Sequence, residues 1–236
     1  MSKHMEAAAT TQPELFFWER PELDFPLYDD ETMGLWQPIL LIGSAVAALV
    51  SLSFLPDSRM VKSAALFLGP LVPYLIVARG NIFTIIKRPR LGDIILVPAT
   101  LILTIAYSLG MGILLYKLGF EIQGNAVYNE TRDAVFFASL FVQLFGEEMV
   151  KLNIFLGVLI LAFKRTGNRK MSVVVAIIIT LFIFGIAHFR AYNGSLVQIL
   201  LIQGAGSIFA LFCYMRSKNI LTSYAMHFLQ DFLFLM

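Results

Sequence analysis

Residues 171–188 read MSVVVAIIITLFIFGIAH, and the first ionisable side chain in the run is the last one, His188. A helix needs ~20 mostly apolar residues to cross a bilayer, and this stretch supplies them without a charge on any face. Extended to 171–189, it is one of seven such runs, the others being roughly 37–55, 60–79, 93–117, 134–163, 195–216 and 219–236. Short loops with charges, Pro or Gly separate them, among them Lys87-Arg88-Pro89-Arg90 and Lys164 to Lys170. The composition agrees: 58% of the 236 residues are hydrophobic, 21 are Phe, and 14% are charged. A soluble domain carries about a quarter charged residues. Mean hydropathy is +0.76. Soluble, disordered, collagenous and disulfide-scaffold classes are excluded. The expected fold is all-α, a polytopic integral membrane bundle of about seven (7–8) helices, and no strand alternation indicates a β-barrel. Net charge is +2, which points to no nucleic-acid partner. The single cysteine, Cys213, reads as a small core residue.

The chain divides into a segment 1–34 and a helical domain 35–236. Of 16 acidic residues, eight lie in the first 31 positions, together with Pro13, Pro21, Pro26 and the aromatic run Phe16-Phe17-Trp18. This reads as an acidic, mostly irregular arm with an aromatic interface anchor. Lys and Arg concentrate on the side shared by the arm, the 80–92 loop, the 164–170 loop and Ser217-Lys218, which places the N-terminus in the cytoplasm. Asn129-Glu130-Thr131 and Asn193-Gly194-Ser195 then fall in outer loops. The 80–92 segment is also readable as a short interfacial helix, and the long fourth run as kinked. The host is a cell membrane, or the endoplasmic-reticulum membrane in a eukaryote.

The ionisable groups left inside the apolar runs are Glu147, Glu148, Lys151, His188, His227 and Asp231. Each costs ~2.5 kcal/mol or more at mid-membrane, so they must face one another or a watered cavity. Four-residue spacing sets Gln143, Glu147 and Lys151 on one helix face, with Glu148 turned ~100° away. Lys151 can neutralise either carboxylate but not fully both. The other, beside a like charge in a dry site, is suited to act as a base near neutral pH. His188 follows Phe184 by one turn. His227 and Asp231 are also one turn apart, so the carboxylate can fix the imidazole tautomer.

This order of Glu-Glu, Phe-x-x-x-His and His-x-x-x-Asp resembles the CPBP family, the CAAX-protease and bacteriocin-processing (Abi-type) membrane proteins. The resemblance covers about 134–236. The family pattern sets Arg five residues after the first Glu, where this chain has Leu152. Its cation is Lys151, in a Glu-Glu-x-x-Lys motif similar to PrsW-type membrane proteases. The resemblance implies an intramembrane endopeptidase in which Glu147 is the general base and His188 positions the water. His227 and Asp231 would stabilise the oxyanion, with Glu148 and Lys151 as orienting groups. It implies no cofactor, with zinc as the alternative, since Glu147, His188, His227 and Asp231 also form a chemically adequate ligand set. The implied partners are membrane lipid and a membrane-associated protein or peptide, of which a prenylated CAAX tail is one. The residues by themselves leave a proton- or ion-coupled carrier and a non-catalytic scaffold open.

One depth estimate conflicts with a shared site. At ~1.5 Å per residue, Glu147 and His188 lie roughly 24 and 26 Å from the inner ends of their spans, and His227 about 12 Å.

Overall fold

The computed structural model describes residues 15–125, 127 and 131–235. Residues before 15, and the Asn129-Glu130 part of the first N-x-S/T pattern, lie outside the described residues. The described residues form seven long helices: α1 (Trp36–Ser51), α2 (Arg59–Val77), α3 (Leu91–Lys117), α4 (Ala134–Thr166), α5 (Arg169–Ala187), α6 (Leu196–Ser217) and α7 (Ile220–Leu235). By length and composition α2, α3, α5 and α6 can cross a membrane, and α1 is a shorter apolar helix. The protein is a polytopic helical membrane protein. In place of an interfacial helix, 80–92 holds a single 3₁₀ turn at Ile82–Thr84.

Helix α4 is the hub. Asp133 caps its start by accepting from the Phe136 amide at 2.7 Å. Gly167, left-handed at φ 64°, ends it after Lys164 and Arg165 in the last turn. It runs unbroken, and every residue from Glu148 to Ile160 is buried, as expected of a helix apolar on all sides. Glycines let its neighbours close in. A Cβ on Gly146 would meet the Leu66 carbonyl at 2.7 Å, so only glycine lets α4 abut α2 there. Pro70 supplies no N–H to that carbonyl, and Asn153 Nδ2 donates to Pro70 O at 2.8 Å.

The arm folds onto this bundle. Phe25, Tyr28 and Met33 belong to the main core. Phe16 and Trp18 stack at 5.2 Å, and Trp18 meets Phe212 at 5.4 Å. Phe17 alone of the three aromatics is fully exposed, which confines an interface-anchor role to that ring. Phe25 packs on Phe155, and Tyr28 on Phe163 near the end of α4.

The depth estimate does not hold: the His227 ring lies 6.3 Å from the Phe184 ring and its Nδ1 2.7 Å from Glu148. The α6–α7 turn does not reach the surface: Lys218 and Asn219 are 0% and 1% exposed. Helix α7 starts beneath the arm, near the start of α5, since Lys218 and Arg169 bind the same Glu19 carboxylate. His227, about two turns into α7, nonetheless meets Glu147 and Glu148 of α4.

Candidate active site

Glu147 and Glu148 occupy adjacent positions on α4 and face different surroundings. Glu148 is 3% exposed and is held from three directions. Lys151, one turn on, pairs with it; Ser223 Oγ donates to its Oε2; and His227 Nδ1 lies 2.7 Å from its Oε1. Glu147 instead borders the cavity. Its Oε1 accepts from Gln143 Nε2 at 2.9 Å, and its Oε2 is 3.9 Å from His227 Nε2, too long for a direct hydrogen bond.

His227 and Asp231 share the inner face of α7, with Asp231 Oδ1 3.8 Å from His227 Nε2. This corrects one expectation. The carboxylate that binds Nδ1 of His227 is Glu148, from another helix, and Asp231 faces the opposite ring nitrogen. Ser223, a further turn toward the N-terminus, was missed from sequence, although Ser223, His227 and Asp231 are spaced by four and so share a stripe.

His188 caps the C-terminus of α5, its Nδ1 2.8 Å from the Phe184 carbonyl oxygen. A carbonyl only accepts, so Nδ1 carries the hydrogen and Nε2 is left for the cavity. The Phe184 ring links the parts. It stands 4.7 Å from the His188 ring and 6.3 Å from that of His227, and Lys151 Nζ lies 4.5 Å from its centre. Its helix is set by a crossing of small residues. A Cβ on Gly185 would meet Ile199 O at 2.8 Å and Gly204 Cα at 3.1 Å, at the π-helical stretch Ile199–Gly204 of α6. Such π segments frequently mark functional sites.

Gln143, Glu147, Lys151, Phe184, His188, His227 and Asp231 all line one cavity of ≈ 970 Å³, whereas Glu148 lies behind its wall. The cavity reaches the face opposite the arm, where its lining includes Gln123, Asn125 and Tyr192. Its upper wall carries Arg59, Lys62, Lys117 and Arg190. Arg59 lies 4.2 Å over the Phe136 ring and donates to Gln143 Oε1 at 3.5 Å. Among the described residues no three or more His, Cys, Asp or Glu side chains are arranged to hold a metal ion.

Carboxylates and imidazoles from three helices of a membrane bundle thus converge on one cavity. Residues 129–233, which contain all of them, match the family model described as type II CAAX prenyl endopeptidase Rce1-like. That match agrees with the CPBP resemblance of the motifs and supports a membrane protease. No curated protein and no solved structure matches the chain.

Proposed function

We propose that the protein is an intramembrane endopeptidase in which Glu147 activates a water for attack on a peptide carbonyl. The single observation that carries this reading is the division of labour between adjacent carboxylates. Glu148 is consumed by Lys151, Ser223 and His227, while Glu147 keeps an oxygen open to the cavity. Gln143 fixes one oxygen of Glu147 by donating to it, and the other is free to take the water proton. The hydroxide oxygen bonds to the carbonyl carbon. The C–N bond then breaks, and Glu147 returns the proton to the leaving amine, giving a carboxylic acid and an amine. His188 orients the water through Nε2. His227, with a carboxylate at each ring nitrogen, holds a proton on Nε2 for the oxyanion. Asp231 acts through that ring. Glu148 and Lys151 are positioning groups.

No metal is needed for this sequence of steps, and we read the reaction as metal-independent. Support comes from the donor set: among the described residues no three His, Cys, Asp or Glu side chains are arranged to hold a metal ion.

The substrate is a membrane-associated polypeptide, with CAAX-type prenylated tails the class the family description names. An apolar cavity walled by cations fits a peptide with apolar side chains and an anionic end. The deciding experiment reconstitutes the protein in liposomes with fluorogenic prenylated peptides. Hydrolysis that disappears in Glu147→Gln supports the enzyme, and ion or proton flux without hydrolysis supports a carrier.

A further inference from the structure

The strongest cluster of charges outside the cavity lies on the opposite side of the bundle, and it joins the two helices that carry the imidazoles. Glu19 of the arm accepts two hydrogen bonds from Arg169, at 2.7 Å each, in a bidentate fork. The same carboxylate accepts from Lys218 Nζ at 2.9 Å. Arg169 is the first residue of α5, the helix that ends at Phe184 and His188. Lys218 caps the end of α6 two residues before α7, the helix of His227 and Asp231. All three charged side chains are 3% exposed or less.

Helices α5 and α7 are held apart from one another by shared packing on α4 and α6, and meet directly where Phe184 stands 6.3 Å from His227 near the cavity. Helix α5 packs chiefly on α4 and on the π stretch of α6, and α7 on α3, α4 and α6. At the arm face the start of α5 and the turn leading into α7 are joined through one carboxylate. Removing that carboxylate leaves Lys218 buried without its counter-charge beside Arg169, which keeps only Asp24, and a buried unpaired cation is costly to keep dry. Lys218 also lies 3.4 Å over the Phe25 ring, so its relocation would disturb the arm itself. The cluster is some 13 Å along α7 from His227 and roughly 22 Å along α5 from Phe184, too far to touch substrate.

We infer that Glu19 is a positioning residue: the docked arm, through Glu19, sets α5 against α7 and so sets His188 against His227. The inference rests on the protease reading for its kinetic consequence but not for its geometric one. Arg169 bonds Asp24 as well, at 2.7 Å, so the fork has a second, outer partner and Glu19 is the member that reaches Lys218. Support for the charge state comes from Glu19 itself, whose carboxyl is held down to about 2, Arg169 and Lys218 outweighing its burial. The segment 15–35 lies outside the part that matches the family model.

The test uses the full-length protein with two readouts. Spin labels at Ile186→Cys and Leu233→Cys, both on exposed faces, report the separation of the cavity ends of α5 and α7 by pulsed electron resonance. Glu19→Gln is expected to broaden that distance distribution and to lower kcat about 10- to 100-fold with KM little changed, as small misplacements of reacting groups do. The double variant Glu19→Gln/Lys218→Met removes the excess buried cation. It should regain thermal stability but not kcat, because the link is still missing. An unchanged distance distribution in Glu19→Gln, or a double variant with wild-type kcat, overturns the inference and leaves the cluster purely structural. A broadened distribution in a protein that shows no Glu147-dependent hydrolysis sustains the positioning role while defeating the protease reading.

Discussion

Nδ1 of His227 lies 2.7 Å from Oε1 of Glu148, whereas Asp231, on the same helix as the ring, faces Nε2 at 3.8 Å. The imidazole is therefore oriented by the carboxylate of a different helix, and the pair Glu147–Glu148 splits into a cavity-facing group and a buried anchor. The consequences of that split are measurable.

Glu147→Gln retains volume and the Gln143 contact but removes the proton acceptor. Hydrolysis should fall ~10²-fold or more with the thermal midpoint little changed. Glu148→Gln leaves Lys151 buried without its counter-charge and should cost about 3–5 kcal/mol of stability, with a smaller direct effect on turnover per folded molecule. Turnover and melting of both variants decide it. A dead Glu148→Gln beside an active Glu147→Gln would exchange the roles.

Metal independence is checked by exhaustive chelation followed by elemental analysis. Turnover should survive, with zinc well below one atom per chain. Activity lost on chelation and restored by zinc alone, together with about one zinc per chain, would make Glu147, His188, His227 and Asp231 a ligand set instead.

Helices α2, α3, α5 and α6 were legible as spans because near-absence of charge over ~20 residues is a one-dimensional property. The membrane charges were legible for the same reason, since an unpaired one is not tolerated in lipid. What the sequence could not show is depth. Its estimate assumed that each span runs straight from the membrane face, and Ser217-Lys218 read as a surface loop. The turn is buried instead: the arm, which carries no helical period or long apolar run, covers Lys218 with Trp18 and Phe25. The partner of His227 was misassigned for a related reason. Asp231 is its neighbour in sequence, and spacing along one helix reports nothing about Glu148 arriving from α4.

Glu19 also predicts a pH dependence. Its carboxyl falls from 4.5 to about 2 in the folded protein because Arg169 and Lys218 favour the ionised form against the effect of burial. A depressed carboxyl contributes stability that is complete above the unfolded value and is lost as pH falls toward the folded one. Between pH 6 and pH 3, wild-type protein in detergent should therefore lose stability that Glu19→Gln never had, and the two melting curves should converge. Parallel losses in both would assign acid sensitivity elsewhere.

The crossing of α5 and α6 leaves no room for a methyl group at Gly185, where a Cβ would sit 2.8 Å from Ile199 O. Backbone cannot yield as a side-chain end can. Gly185→Ala should cost about 1–3 kcal/mol and move His188, one turn of chain further on. Thermal midpoint and kcat should fall together. A variant with normal midpoint and normal kcat would show that α5 slides freely on α6.

Arg59 offers the sharpest statement about substrate. It stands outside the segment that matches the family model, yet it donates to Gln143, which in turn donates to Glu147. The guanidinium is thus two hydrogen bonds and one amide width from the base. An extended peptide advances ~3.3–3.6 Å per residue, so Arg59 lies within about three residues of a scissile bond held at Glu147. A free α-carboxylate at that distance would meet the positive field of Arg59, with Arg190 and Lys117 adding charge on the same wall. Matched peptides ending in a free acid or an amide should be cut with kcat/KM values differing about tenfold in favour of the acid, the size of one charge-assisted contact. The ratio should shrink toward one in Arg59→Gln. It is internal to each variant, so partial loss of folded protein leaves it unaffected. Equal rates for acid and amide in the wild type would remove the carboxylate from the recognition scheme. A ratio preserved in Arg59→Gln would assign the contact to another cation of the wall.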